Sequence, residues 1–262
     1  MNLDLTGKNA LVCGSTQGIG RACAHELAIL GARITLVARN ESALKKVIDE
    51  LHGLVDAPHD YLCVDFSQPD MLREALNAYF AVHEPCHILV NNTGGPTPGP
   101  ITEANLKAFL DAFSQHLLCN HILAQAVLPG MQKAQYGRII NIISTSVKQP
   151  IKGLGVSNTT RGAVANWAKT LAGEVGRFGI TVNNVLPGST KTGRLDALIQ
   201  SKAKKAGVPE QEIIEQMEAE VPVGRIGEPE EVAAAVAFLA SPAAAYINGT
   251  NLPVDGGRTQ CL

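Results

Sequence analysis

Eight residues, Cys13-Gly14-Ser15-Thr16-Gln17-Gly18-Ile19-Gly20, lie between an apolar run, Ala10 to Val12, and a stretch of helical composition that reaches Leu30. Three glycines at this spacing suit a backbone that must turn tightly, approach a pyrophosphate and pack a helix closely on a strand. The free amides and positive dipole end of such a helix then face an anion. A second apolar run, Ile34 to Val37, closes in Ala38-Arg39-Asn40 rather than in an acid. An acid would bond the adenosine ribose hydroxyls, whereas a guanidinium pairs with a 2′-phosphate. The chemistry implied is dinucleotide binding, with NADP(H) preferred over NAD(H); a solvated surface arginine is the alternative reading of Arg39.

Alternating strand and helix signals must carry these residues. After the first βαβ unit the pattern predicts a helix over 41–52 and a strand over 61–64. Ser67-Gln68-Pro69-Asp70 opens another helix, with serine as its cap and proline in its first turn. A buried strand over 87–90 ends in Asn91-Asn92-Thr93-Gly94-Gly95, and a proline-rich turn precedes a long helix over about 103–133. Strands over 138–143, 180–185 and 250–254 alternate with helices over 155–177 and 228–240. This order implies one α/β domain over 1–262, a doubly wound parallel sheet of about seven strands with helices on both faces. Residues 193–221 follow a strand's carboxyl end, where ligands bind in open α/β sheets, and read as a mobile lid over a substrate pocket or as a plain surface helical pair.

Bulk properties exclude several function classes. The net charge is −2 across 262 residues, and the pI is about 6.4. Neither value points to nucleic acid or an anionic membrane. The longest apolar candidate, Val232 to Ile247, is interrupted by Ser241-Pro242 and is too short to span a bilayer. Six cysteines are scattered without CxxC spacing, which reads as reduced cytoplasmic thiols and no metal site.

Nearly the whole chain resembles the short-chain dehydrogenase/reductases, within them the 3-oxoacyl-(acyl carrier protein) reductase-like group. The resemblance rests on Gly14-x3-Gly18-x-Gly20, Asp65, Asn91-Asn92-Thr93-Gly94, Gly137-Arg138-Ile139-Ile140-Asn141, Pro187-Gly188 with Thr192, and Val254-Asp255-Gly256-Gly257. It implies that Asp65 contacts the adenine, Asn91 steadies the central strand and Thr192 bonds the nicotinamide carboxamide. The implied cofactor site comprises Gly14, Ser15, Thr16, Gln17, Gly18, Ile19, Gly20, Arg39, Asp65, Asn91, Gly94, Arg161, Pro187, Gly188 and Thr192. A homotetramer is implied as well, with the two long helices making one interface.

The family's proton relay does not carry over. Its serine slot falls on Ser144, its tyrosine slot on Ser157, its lysine slot on Arg161 and its asparagine slot on His116. A phenol starts near a pKa of about 10 and a neighbouring cation brings it into working range. Serine's hydroxyl is far less acidic, and arginine stays charged and cannot relay a proton. Ser144 is expected to bind a carbonyl oxygen, while Ser157, Arg161 and His116 occupy the remaining catalytic positions. His116, Lys148 and Lys152 are alternative proton donors, each with a plain structural reading beside it. Two functions follow. One is an NADP(H)-dependent reductase of a ketone or 3-oxoacyl-type carbonyl, on a small-molecule or acyl-thioester substrate, with a non-standard proton donor. The other is a catalytically silent nucleotide-binding relative acting as redox sensor or partner subunit. Lys202, Lys204 and Lys205 could meet an acidic carrier protein or a coenzyme A phosphate, or form a solvated helix face.

Overall fold

Two layers of helix enclose a seven-stranded parallel sheet in the computed structural model, which describes residues 1–261. The strands are β1 (Asn9–Cys13), β2 (Arg33–Ala38), β3 (Asp60–Cys63), β4 (Ile88–Asn91), β5 (Gly137–Ile142), β6 (Ile180–Pro187) and β7 (Asn251–Val254). Their spatial order is β3-β2-β1-β4-β5-β6-β7, with every pair parallel. Strand order reverses between β1 and β4, and a crevice opens there at the carboxyl ends. The domain expected from alternating patterns is therefore formed, with its strands within two residues of the expected bounds.

Near-continuous apolar strands mark a sheet buried on both faces. On one face, Leu11, Leu89, Ile139 and Val182 pack against α3 (Pro69–Phe80), α5 (Cys119–Ala134) and α6 (Gly155–Val175). On the other, Val12, Ile34, Ile140 and Val185 meet α1 (Gly18–Ile29), α2 (Glu41–Leu54) and α9 (Pro229–Ala240). Burial of a large aliphatic side chain contributes about 1.5–3 kcal/mol, so these two layers fix the sheet.

Two helix starts differ from expectation. The cap of α3 is Gln68, not Ser67, because Pro69 takes the first helical position, where its missing N–H costs nothing. The long helix begins at Leu106 rather than near 103. Pro100 starts a separate 3₁₀ turn over Ile101–Glu103, and Asn105 then caps α4 (Leu106–Phe113) by accepting from Ala108 N at 2.8 Å. A π-helical turn, Ser114–Leu118, joins α4 to α5.

A row of asparagines ties four strands together. Asn91 donates to Asn141 Oδ1 at 2.8 Å, Asn141 to Asn184 Oδ1 at 2.9 Å, and Asn184 to Asn251 Oδ1 at 2.8 Å. These residues are opposite one another in register. They hold the carboxyl ends of β4 to β7 in fixed relation, directly below the loops that carry the site.

Candidate active site

The glycine turn is fastened to both neighbouring strands. Gly14 N donates to Val37 O at 2.8 Å, and Val37 N donates to the buried Ser15 hydroxyl at 3.1 Å. Asn92 Nδ2 donates to the carbonyls of Cys13 and Gly14 at 3.3 Å each. These contacts leave no room for side chains: a β-carbon on Gly14 would lie 2.6 Å from Asn92 O, and one on Gly20 would lie 2.2 Å from Gly14 O. Gly18 has a left-handed φ of +52°. The N-cap of α1, Gln17, offers no side-chain hydrogen bond, and no acid stands in the first turn. The amides there are left to an external acceptor, and the bare backbone lets a phosphate reach them. Arg39 is exposed and directly follows β2, at the same carboxyl edge of the sheet as the turn after β1. This set fits a dinucleotide.

The other expected cofactor positions fall around that crevice. Asp65 follows β3 and accepts from Ser67 N at 2.9 Å. Gly94 lies in the loop after β4. Pro187 ends β6, and Gly188 N bonds Val254 O at 3.0 Å. Thr192 caps α7 (Gly193–Ala206), its hydroxyl accepting from Leu195 N at 3.4 Å. Its methyl carbon would lie 2.9 Å from a β-carbon on Gly18. The start of α7 thus touches the start of α1 across the crevice.

Ser144 opens the loop after β5, half-buried, and its Oγ accepts from Ser146 N at 3.1 Å. That bond fixes the oxygen while its own O–H remains to donate. Ser157, in the first turn of α6, is half-buried. One turn along, Arg161 is buried and donates from Nη1 to Ile142 O at 3.1 Å. Burial, with Arg194 adding repulsion, lowers its pKa to about 10, so it stays charged at neutrality. Lys148 is half-buried and Lys152 exposed on the loop between.

His116 sits in the π turn, 2% exposed, with Nδ1 2.5 Å from the Thr93 hydroxyl. Burial first, then Arg161 and Arg194, push its pKa down to about 2. The ring is neutral across the working pH range, and any proton it could give is that of a neutral imidazole. An extra residue in a helical ladder re-aims the side chains around it, and π turns gather at functional sites for that reason.

Sequence reasoning missed Arg194. From the first turn of α7 it donates from Nη1 to Gly95 O at 2.9 Å and from Nη2 to Pro96 O at 3.0 Å. Together with α8 (Glu210–Ala219), α7 builds a small core of its own from Leu195, Ile199, Ala203, Ile213 and Met217. Between this helical pair, the Ser144 loop and the C-terminal segment lies a cleft of about 690 Å³, bordered by Lys152, Lys202 and Arg258. Among the described residues, no cluster of His, Cys, Asp and Glu could hold a metal, and no helix is long and apolar enough to cross a membrane.

Known proteins match this chain over nearly its whole length. The family model described as Enoyl-(Acyl carrier protein) reductase matches residues 14–259. The chain is 34% identical over 255 residues to the 3-oxoacyl-(acyl-carrier-protein) reductase FabG of Vibrio cholerae, covering 97% of this chain and 98% of the relative. A chloroplastic tropinone reductase homolog of Arabidopsis thaliana is 34% identical over 97% of this chain and 76% of its own length. Among solved structures, the L-sorbose reductase of Gluconobacter frateurii, complexed with NADPH and L-sorbose, superposes with a TM-score of 0.94 at 30% identity over the whole of both chains. The NADPH-dependent reductase YwfH, involved in bacilysin biosynthesis, gives 0.92 at 27% identity, covering 97% of this chain and 99% of its own. From the crevice at the β1–β4 reversal to the C-terminal segment, the chain belongs to the short-chain dehydrogenase/reductase family of oxidoreductases.

Proposed function

We propose that this protein is an NADP(H)-dependent reductase of a ketone or 3-oxoacyl-type carbonyl that works without the family's tyrosine. One observation carries the reading: the uncapped amide turn of α1, the exposed Arg39 just past β2, and Ser144, whose hydroxyl keeps its donor free, all follow carboxyl ends of strands in the same sheet. Relatives named as reductases, two of them named together with NADPH, support it. When bound, the nicotinamide supplies or accepts a hydride at the carbonyl carbon.

The chain's own residues do the rest. Amides of Gly18, Ile19 and Gly20 hold the pyrophosphate, Arg39 pairs with the 2′-phosphate, Asp65 meets the adenine, and Pro187, Gly188 and Thr192 hold the nicotinamide end. Ser144 donates to the carbonyl oxygen. The fixed positive field of Arg161 stabilises negative charge that develops there, which is how preorganised donors lower a barrier. Ser157 is too weak an acid for the remaining proton, so water admitted by the cleft delivers it. The helical pair over 193–221 closes on the substrate, held shut by Arg194 on the Gly95–Pro96 backbone. Exposed Leu106, Leu110 and Leu118 run along the outer side of α4 and the π turn. Such a stripe supports assembly into the homotetramer, with α4, α5 and α6 at one interface.

Fluorescence titration tests the cofactor: NADPH binds at least ten-fold tighter than NADH, and Arg39→Ala removes the difference. A panel of ketones and 3-oxoacyl thioesters, followed by NADPH absorbance, tests the reaction, with Ser144→Ala abolishing turnover. NADPH binding without turnover on any member would mean a silent nucleotide-binding protein instead.

A further inference from the structure

We propose that the substrate carries an oxyanion, a carboxylate or a phosphate, that the guanidinium groups of Arg161 and Arg194 receive together. This deepens the carbonyl-reductase reading and rests on it. Arg161 is only 8% exposed, yet its single hydrogen bond goes to Ile142 O. A guanidinium has five N–H donors, so most of its capacity is unspent. Among the described residues, neither Arg161 nor Arg194 forms an ion pair; their partners are the carbonyls of Ile142, Gly95 and Pro96. An unpaired buried charge is costly, and a ligand anion would supply the missing partner. Ribose hydroxyls are neutral and leave that charge unmatched.

Topology brings the two cations to one place. Asn91 and Asn141 are opposite in register, so Ile142, the anchor of Arg161, lies beside the chain that continues through Thr93 to Gly95 and Pro96, the anchors of Arg194. His116, bonded to Thr93, feels both charges and answers by staying neutral. It neither adds a third cation nor supplies an anion. Ser144 follows Ile142 by two residues. A compact substrate that bears both a carbonyl and an anion, a short oxo acid or a keto phosphate, is the class this arrangement suits. The cleft beside the Ser144 loop is cationic too. Lys152 and Lys202 border the cleft, and its one lining carboxylate, Glu220, is engaged by Arg258. Planar forks of this kind recognise carboxylates and phosphates in pairs.

Calorimetric titration of the NADP-saturated protein tests this with 2-oxobutanoate, 4-oxopentanoate, the methyl ester of each, and the pair dihydroxyacetone and dihydroxyacetone phosphate. At least one anion should bind ten-fold or more tighter than its neutral counterpart. A preference confined to the oxo acids assigns a carboxylate, and one confined to the keto phosphate assigns a phosphate. Arg194→Met and Arg161→Met each remove the preference, and Arg161→Lys retains part of it. Arg161→Met should also melt at or above the wild-type temperature, since it deletes an uncompensated buried charge; a purely structural arginine would give a lower melting point. Anions and neutral analogues binding alike, with NADPH binding intact, would overturn the inference and leave the reductase reading standing. Loss of NADPH binding in the wild type would overturn both.

Discussion

Asn91 donates through Nδ2 to Asn141 Oδ1 at 2.8 Å, and this is the first link of a chain that ends on Asn251 at the sheet edge. Every amide in the row points the same way, so Asn141 and Asn184 each donate to the next strand and accept from the last. Asn141 is completely buried and serves both neighbours. Replacing it strands a donor on Asn91 and an acceptor on Asn184, each at about 1–3 kcal/mol. Asn141→Leu should therefore lower unfolding free energy by about 2–5 kcal/mol in urea denaturation. A loss below about 1 kcal/mol would show that the row is ornamental to stability.

The glycines of the turn divide into those that need bareness and those elsewhere that do not. In Gly20→Ala the new carbon meets a backbone oxygen at 2.2 Å, which cannot move without opening the turn. NADPH affinity should fall more than ten-fold, with destabilisation of about 2 kcal/mol or more. Gly173, exposed in α6, has no atom within 4 Å of the same position. There the exchange to alanine removes a helix-weakening residue, and stability should rise by about 0.5–1 kcal/mol. Equal responses at the two sites in thermal melts would contradict this account.

Acid sensitivity should trace to His116. Folding depresses its pKa from 6.5 to about 2. Between those values the unfolded chain holds a proton that the folded chain does not, so stability from this residue is complete above 6.5 and declines as pH falls. The slope approaches about 1.4 kcal/mol per pH unit below that point. His25, His59 and His87 are pushed in the same direction by burial and add to the total. His116→Gln keeps a polar partner for Thr93 and removes the titration. Its unfolding free energy should change less between pH 6 and pH 5 than that of the wild type, by roughly 1 kcal/mol. Identical pH slopes in the two proteins would refute the assignment.

Much of this frame is legible in the residues alone. Alternating periodicities give the order of strands and helices, and three glycines give the crevice, because local sequence sets both. Arg194 cannot be found in this way. Its anchors, Gly95 and Pro96, are 99 and 98 residues away, and an arginine at a helix start looks like any solvated one. The π turn is hidden for a related reason: one extra residue in a helix leaves the apolar pattern nearly unchanged, though it decides where His116 points. Asn105 has the chemistry of a cap, but the proline-rich turn before it blurs the helix start.

Restoring the family's acid is the most direct test of how this site works. Ser157 stands in the first turn of α6, and Arg161 one turn later with its head on Ile142 O. A tyrosine at 157 would place a phenol in that turn, and lysine at 161 would keep a cation near enough to lower its pKa. Positioned acid catalysis is worth about 10²–10⁴-fold, so Ser157→Tyr with Arg161→Lys should raise kcat on a slow ketone substrate by at least about ten-fold. It should also add a pH dependence that the wild type lacks, with the rate of reduction falling as the phenol ionises. The single change Ser157→Tyr should give less, because a buried guanidinium fixed on a carbonyl is poorly placed to tune the phenol. A double variant that binds NADPH normally and gains nothing would show that proton delivery does not limit this enzyme, and that water at the cleft already suffices.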